Sequence, residues 1–216
     1  MLPFSTISVI SPPLAPNSPA PVSHSHLVCV FRNLLSSSSQ ANQAVTFFGD
    51  SSGGNLTLSL TISALQDSNV PAPQSIFLLC PSVDLRHKNP AARALQPKDP
   101  ILRHRKEVKT SKDWAGEWTV DATQVSPLLA DLTVLEEQKV KVHGVTAGYD
   151  ILTPDALILR ERLAKMGVEG RWLDWDKQMH CFPLAFSYGL PESVRGLEWI
   201  VDVLSQDGAE SSAALT

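Results

Sequence analysis

Residues 47–55 read Phe-Phe-Gly-Asp-Ser-Ser-Gly-Gly-Asn and contain the pattern Gly-x-Ser-x-Gly, with Ser51 at its centre. An apolar run at 44–48 precedes the pattern, and a stretch with apolar residues near helical spacing follows it. This order predicts a strand, a sharp turn and a helix that together present the Ser51 hydroxyl above the end of a sheet. We expect Gly49 and Gly53 to be required, because a Cβ at either position would collide with neighbouring backbone. The helix N-terminus behind Ser51 leaves N–H groups unpaired, which favours an oxyanion nearby.

A serine hydroxyl becomes a nucleophile only with a base that accepts its proton and an acid that orients the base. The chain has six histidines, and His180 is the strongest candidate because it closely follows an apolar, strand-like run. That placement suits a loop at the carboxyl end of a strand, where open α/β sheets bind ligands. A packed or surface role is the alternative for a single histidine.

The orienting acid is expected between Ser51 and His180 in chain order. Residues 140–147 read as a strand, and Asp150 follows it immediately before a predicted helix. Asp174 and Asp176 are rival acids, but they lie on the segment that carries His180. The sequence therefore ranks Asp150 first and Asp176 second.

Several segments occur in the order found in one enzyme family. The chain resembles the hormone-sensitive-lipase-like branch of the α/β-hydrolases, which are carboxylesterases and lipases. The matching segments are Leu14-Ala15-Pro16, Gly49-Asp50-Ser51-Ser52-Gly53-Gly54-Asn55, Pro81-Ser82-Val83-Asp84, Ser126-Pro127-Leu128, Gly148-Tyr149-Asp150 and Met179-His180-Cys181-Phe182.

The resemblance implies roles for residues of this chain. Ser51 would be the nucleophile, His180 the general base and Asp150 the acid that orients it, and the backbone N–H of Ser52 would be one oxyanion donor. It implies an α/β-hydrolase fold, with a mostly parallel sheet and helices on both faces. The expected reaction is hydrolysis of carboxylic esters with small or medium acyl chains, and it requires no cofactor or metal.

Two departures from the family pattern stand out. Cys181 occupies the position of the glycine that normally follows the histidine, and a cysteine there can take a positive φ only with strain. The His-Gly-Gly-Gly loop that supplies the other oxyanion donors has no counterpart in the chain. We therefore expect a family member whose N-terminal strands are missing. An impaired or truncated protein that binds a small ligand or a partner is the alternative.

The pattern along the chain predicts one partial hydrolase domain at 1–205 and a disordered tail at 206–216. A strand is predicted at Thr6–Ile10, a helix over 23–35 and a final helix over 191–204. Charge and proline content rise at about 85–124, which we interpret as a cap insertion over the active site. Trp114 and Trp118 in this insertion could line an acyl pocket, although packing is the commoner role at this spacing.

Composition limits the partners. Hydrophobic residues make up 43% and charged residues 19%, as in ordinary globular proteins. The net charge of −4 gives no reason to expect nucleic acid as a partner. The chain contains no apolar run of about 18 residues, so no membrane span is predicted. The oligomeric state is not predicted.

The cysteines indicate a reducing compartment. Three cysteines are too few, and odd in number, for a disulfide framework, which predicts a cytoplasmic location. Cys29 and Cys80 lie among apolar residues and are interpreted as core residues. Cys181 follows His180 directly, but neighbours on an extended segment point in opposite directions, which argues against a cysteine nucleophile there.

Overall fold

The structure, a computed structural model, describes the backbone of residues 6–214 and the side chains of residues 6–209. Within these residues the strands are β1 Thr46–Asp50, β2 Ser75–Leu79, β3 Lys141–Ala147 and β4 Trp172–Trp175. The α-helices are α1 Ala20–Gln40, α2 Ser52–Ala64, α3 Pro90–Leu95, α4 His104–Ala115, α5 Thr133–Glu137, α6 Thr153–Lys165 and α7 Pro191–Ala214. Short 3₁₀ helices occupy Pro127–Leu129 and Phe182–Tyr188.

The four strands form one parallel sheet in the order β1-β2-β3-β4. Consecutive strands are neighbours, so helices must return the chain from each carboxyl end to the next amino end. The register pairs Gly49 with Leu78 and Leu78 with Gly144. The loops that follow the four strands therefore emerge along one edge of the sheet, and the predicted fold class is confirmed.

The central strand β2 is buried on both faces, which explains its uninterrupted apolar run. Ile76 and Leu78 belong to a core shared with α1, α2 and α6. Phe77 and Leu79 belong to a second core, which α7 and the second 3₁₀ helix cover. Helices thus protect both faces, and this double cover gives the sheet its rigidity.

The segment before β1 differs from the prediction. Thr6–Ile10 forms no strand, and its residues are exposed. An extended segment becomes a strand only when a neighbour takes up its backbone hydrogen bonds. Within residues 6–214, β1 has β2 as its partner and no strand on its other side. Phe48 on this edge strand is correspondingly 44% exposed.

Helix α1 extends beyond the predicted bounds of 23–35 at both ends and includes the serine-rich segment 36–39. Tertiary packing explains the difference, because Phe31 stacks on Phe47 with ring centroids 4.1 Å apart and Leu35 is buried. Arg32 also donates to the carbonyls of Ser63 and Ala64 at the end of α2. These contacts hold α1 in place despite the poor helix propensity of its serines.

Helix α7 also continues beyond its predicted end, through Ala214, so the predicted disordered tail is wrong for 206–214. Asp207 supplies the physical reason. Its buried carboxylate lies 3.0 Å from Nε2 of His143 on β3, and Lys141 lies 3.4 Å away. Its carbonyl accepts a hydrogen bond from Gln74. The segment is therefore attached to the sheet by polar contacts that its small, polar sequence does not suggest.

Candidate active site

Ser51 lies at the sharp turn between β1 and α2. Its φ and ψ are 52° and −116°, a conformation that non-glycine residues rarely adopt. The Ser51 N–H donates to the carbonyl of Leu79, and the Ser51 carbonyl accepts from Ser82. Such a strained backbone persists only where its surroundings fix it, and it is common at functional sites.

Two of the three glycines near Ser51 are required for space. A Cβ at Gly49 would lie 2.2 Å from the carbonyl oxygen of Gly53, which is a severe backbone collision. The expectation for Gly53 is wrong, because a Cβ there would meet nothing closer than Asp50 at 3.7 Å. Gly54 is the second glycine that the turn needs, since a Cβ there would lie 2.8 Å from Pro81. The close approach of α2 to the loop after β2 is a tertiary feature that the motif does not reveal.

His180 and Asp150 form a close pair. Nδ1 of His180 lies 2.7 Å from Oδ2 of Asp150, and the Asp150 side chain is completely buried. Asp150 follows β3 and His180 follows β4, so both come from the edge of the sheet where the Ser51 turn lies. This contact makes Nδ1–H the donor and leaves Nε2 as the second reactive nitrogen.

Backbone groups hold the acid in place. The other carboxylate oxygen of Asp150 accepts from the N–H of Leu152 at 2.8 Å. The next N–H, of Ile151, donates to the buried carboxylate of Asp99 at 2.9 Å. Gly148 lets this loop approach the loop after β4, because a Cβ there would lie 2.7 Å from the backbone nitrogen of Lys177. Asp99 is a supporting residue that sequence analysis missed, because it lies far along the chain in the predicted cap.

The two rival acids have other contacts. Asp174 pairs with Thr146 at 2.5 Å and with Arg160. The side chain of Asp176 is 80% exposed and lies 3.8 Å from Lys177. The structure therefore pairs His180 with Asp150 rather than with either aspartate on its own segment.

The other nitrogen of His180 has an unexpected neighbour. Nε2 lies 3.4 Å from Sγ of Cys181, and within residues 6–209 no hydrogen bond joins His180 to the Ser51 hydroxyl. Cys181 has a φ of 51°, so the segment is not extended and the two side chains point to the same side. The sequence argument that they point apart is wrong for this reason.

Cys80 completes this cluster from the end of β2. Its Sγ accepts a hydrogen bond from the N–H of Cys181 at 3.3 Å. Cys80 is buried, as predicted, whereas Cys29 is exposed on α1 and not part of the core.

The cluster shifts the ionisation of its members. A hydrogen bond with Cys80 and another with His180 lower the pKa of the Cys181 thiol to about 6, against the opposing effect of burial. Burial lowers the pKa of His180, but the hydrogen bonds with Asp150 and Cys181 outweigh it and raise that pKa to about 10. The hydrogen bond with Cys181, reinforced by burial, raises the pKa of Cys80. Both shifts run in the direction that favours a Cys181 thiolate beside a His180 imidazolium.

A pocket opens beside Ser51 under the segment that was predicted to be a cap. Its apolar walls are Leu56, Leu85 and Trp114, and its polar lining includes Ser51, Ser52, Asn55, Ser82, Glu107, Thr110 and Ser111. Trp118 packs instead against the ring of His24, with ring centroids 5.7 Å apart. Trp114 thus lines the pocket, whereas Trp118 has a packing role.

Two polar residues of this pocket were missed by sequence analysis. Asn55 donates to the carbonyls of Ser82 and Val125, at 2.7 and 2.8 Å, and so joins α2 to the loops around the pocket. Burial raises the pKa of Glu107, which faces His180 and Asp150 from α4. Asn55 belongs to the motif around Ser51 and could have been singled out, whereas no local signal marks Glu107.

A family profile described as "alpha/beta hydrolase fold" matches residues 5–184. The chain belongs to the α/β-hydrolase family. A hydrolase-like relative in Mycobacterium tuberculosis (strain ATCC 25618 / H37Rv), named LipR and described as a candidate acetyl-hydrolase, is 29% identical over 182 residues. That match covers 79% of this chain and 56% of the relative, so the chain spans little more than half the relative's length.

Solved structures of similar proteins agree with this α/β-hydrolase assignment. EstE5, in a crystal soaked with ethyl alcohol, has a TM-score of 0.81 at 25% identity, over 95% of this chain and 66% of EstE5. An esterase/lipase from an uncultured bacterium has a TM-score of 0.81 at 23% identity, over 93% of this chain and 65% of that one. A hormone-sensitive lipase from a metagenome library has a TM-score of 0.80 at 23% identity, over 91% and 65%. The predicted resemblance to hormone-sensitive-lipase-like esterases and lipases is confirmed.

Across the part of the chain that the structure describes, no helix combines the length and the apolar character needed to cross a bilayer.

Proposed function

We propose that this chain is a serine hydrolase of carboxylic esters, with Ser51 as nucleophile, His180 as base and Asp150 as the acid that orients His180. The observation that carries the proposal is the 2.7 Å contact between His180 and Asp150 at the sheet edge that presents Ser51. The Leu79 carbonyl supports their proximity, because it accepts from the Ser51 N–H at 2.9 Å and lies 3.9 Å from the Cys181 sulfur. The loop that carries His180 therefore reaches the Ser51 turn.

In the proposed reaction, the Ser51 oxygen bonds to the ester carbonyl carbon while its proton passes to Nε2 of His180. The carbonyl oxygen becomes an oxyanion beside the N–H of Ser52, the first residue of α2. The bond to the alcohol oxygen then breaks, and His180 gives that oxygen the proton. Water repeats the sequence on the acyl-enzyme, which releases the acid and regenerates Ser51.

For this reaction His180 must first leave its contact with Cys181. Nε2 cannot accept the Ser51 proton while it is protonated and engaged with the neighbouring sulfur. A small rotation of the imidazole that keeps its hydrogen bond with Asp150 would redirect Nε2 from Cys181 towards Ser51. In our proposal the contact between Nε2 and Cys181 is the resting arrangement of the site. Substrate binding favours the arrangement in which Nε2 faces Ser51.

The pocket suggests the substrate class. Leu56, Leu85 and Trp114 offer an apolar surface for a small or medium acyl chain, and the half-buried acid Glu107 offers no positive charge to an anionic ester. We include a cytoplasmic location in the proposal, because all three cysteines are free.

Labelling with a fluorophosphonate probe tests the proposal. We expect one label per chain, located on Ser51 by peptide mass spectrometry, and none on the Ser51→Ala variant. Ser52→Ala is the matched control, because the proposal uses only the backbone N–H of Ser52, and it should still label. Failure of the folded protein to label at Ser51 would overturn the assignment.

A second candidate function is binding of a small ligand without turnover. The contact between Nε2 and the Cys181 sulfur favours it, since this contact occupies the nitrogen that catalysis needs. It predicts that short nitrophenyl esters raise the melting temperature of both the parent protein and Ser51→Ala, with no release of nitrophenol. Rapid nitrophenol release by the parent protein alone would exclude this function.

A further inference from the structure

Three soft ligand atoms converge where the loops after β2 and β4 meet. Sγ of Cys80, Sγ of Cys181 and Nε2 of His180 all lie within 4.8 Å of one another. Thiolate sulfur and imidazole nitrogen are the preferred ligands of Zn²⁺ and similar cations. Ester hydrolysis as proposed above uses His180 alone of these three residues, so it does not explain why both sulfurs are present.

The spacing fits a tetrahedral ion with little movement. With metal–sulfur and metal–nitrogen bonds of about 2.3 and 2.0–2.1 Å, tetrahedral geometry separates the sulfur and nitrogen ligands by about 3.5 Å. The observed distance from Sγ of Cys181 to Nε2 of His180 is 3.4 Å. Three protein ligands would leave the fourth position to water.

A supporting shell is already in place. Histidines that bind metals usually donate their second N–H to a carboxylate, which fixes the ring and raises its basicity. Asp150 holds Nδ1 of His180 in this way, at 2.7 Å. Nε2, which carries the lone pair of the neutral ring, is thereby directed towards the Cys181 sulfur.

The backbone at both cysteines is unusual. Cys80 and Cys181 have φ values of 46° and 51°, in the left-handed region that favours glycine. These conformations bring the Cys181 sulfur back towards His180 and the Cys80 sulfur under the Cys181 N–H. Two strained non-glycine residues whose side chains meet indicate that the meeting itself has a role.

We propose that Cys80, Cys181 and His180 form a binding site for Zn²⁺ or another thiophilic divalent cation, and that the bound cation inhibits the hydrolase by occupying Nε2 of His180. Both cysteines bind as thiolates and His180 as neutral imidazole, and the protons they release pass to the solvent. The two thiolates neutralise the charge of the cation. Inhibition rests on the proposed esterase function, whereas the cation site does not.

Metal binding is tested directly on the reduced, full-length protein. Zn²⁺ is titrated in competition with a chromophoric chelator, and Co²⁺ is used to detect the absorption of thiolate-bound cobalt. We expect one ion per chain and a thiolate–cobalt band. Cys181→Gly, which suits the positive φ, should weaken binding at least about 100-fold, since even supporting residues of metal sites contribute 10–100-fold.

Controls separate the site from other thiols. Cys29→Ala should bind one Zn²⁺ as tightly as the parent protein, because Cys29 is exposed on α1 away from the cluster. Ser51→Ala should also bind normally. Circular dichroism establishes that each variant is folded. Cys181→Gly is the decisive variant for the cation site, because Cys80 is buried in the core and its replacement risks unfolding. Absence of a thiolate–cobalt band, or undiminished binding by Cys181→Gly, would overturn the site.

Measurements of esterase activity then test whether the bound cation inhibits the enzyme. Zn²⁺ should abolish hydrolysis of nitrophenyl acetate by the parent protein, a chelator should restore it, and Cys181→Gly should resist it. Zinc binding with no loss of activity, or with a gain, would refute inhibition. A protein that binds zinc but never hydrolyses esters would contradict the proposed function alone, whereas an active protein without zinc binding would contradict the cation site alone.

Discussion

The imidazole Nδ1 of His180 lies 2.7 Å from the carboxylate Oδ2 of Asp150, and both side chains are almost fully shielded from water. A buried carboxylate in this position fixes the tautomer and orientation of the ring. The pair is formed between two loops, each of which follows its own strand of the parallel sheet.

Replacing Asp150 by Asn should lower kcat for nitrophenyl esters by about 10⁴-fold, because an amide imposes the wrong histidine tautomer. Steady-state kinetics with short nitrophenyl esters measure the effect. Asp176→Asn is the control and should lie within about twofold of the parent protein, because that side chain is exposed. A large loss from Asp176→Asn and a small one from Asp150→Asn would reverse the assignment.

Cys181→Gly should increase esterase activity in the presence of a chelator. The change removes the sulfur that lies 3.4 Å from Nε2 and so releases His180 towards Ser51. A hydrogen bond to a charged group contributes about 1.5–3 kcal/mol, so an increase in kcat/KM of about tenfold or more is expected. Cys29→Ala should have no effect, and a decrease on Cys181→Gly would show that the sulfur assists the reaction.

Gly49 and Gly53 should respond differently to alanine. Gly49→Ala places a Cβ 2.2 Å from backbone, so it should destabilise the protein by about 3 kcal/mol or more and abolish labelling of Ser51. Gly53→Ala meets no close atom within α2, and its stability should be unchanged or up to about 1 kcal/mol higher. Denaturant unfolding of the two variants measures the difference, and equal destabilisation would contradict the geometry of the turn.

Asp207 should stabilise the fold more than its position near the C-terminus suggests. Asp207→Ala removes the buried acceptor of His143 and Lys141 and should cost about 1–3 kcal/mol in the free energy of unfolding. Asp202→Ala is the matched control on the same helix. It breaks a half-exposed ion pair with Arg171 and should cost less than about 1 kcal/mol.

Acidification should remove the stability that the buried His143 contributes, because its pKa is lowered, in contrast to that of His180. Burial lowers the pKa of His143; Asp207 opposes this shift, and Lys141 and Arg171 add to it. The unfolded chain, with a histidine pKa of about 6.5, therefore takes up protons first as the pH falls. The stability that neutral His143 contributes is fully present above that pH and is lost as the pH falls below it. Each 1 kcal/mol of stability that is lost should lower Tm by about 2–4 °C.

Scanning calorimetry at pH 7.5 and 5.5 measures this loss. Burial likewise lowers the pKa of His24 and His87, so His143→Gln should reduce the pH dependence without abolishing it. His26→Gln, a change at an exposed position of α1, should retain all of it. A His143→Gln variant with the same pH dependence of Tm as the parent protein would contradict the prediction.

Local sequence determined the elements that position the site. The apolar run of β2 and the glycine-rich turn around Ser51 are short-range patterns, because strand burial and turn sterics depend on a few adjacent residues. Alternation of such strands with helices was enough to predict a parallel sheet. Placing Asp150 and His180 after successive strands followed from the same logic.

Only the tertiary structure decided which side chains meet. The contact between Asp150 and His180, the need for Gly54 rather than Gly53, and the bond between Asp207 and His143 all depend on how distant segments pack. The cluster of Cys80, His180 and Cys181 has no spacing that marks it as a metal site in the sequence. The physical reason is that parallel register brings together strand ends that are far apart in the sequence, and a single positive φ at Cys181 reverses the direction of a side chain.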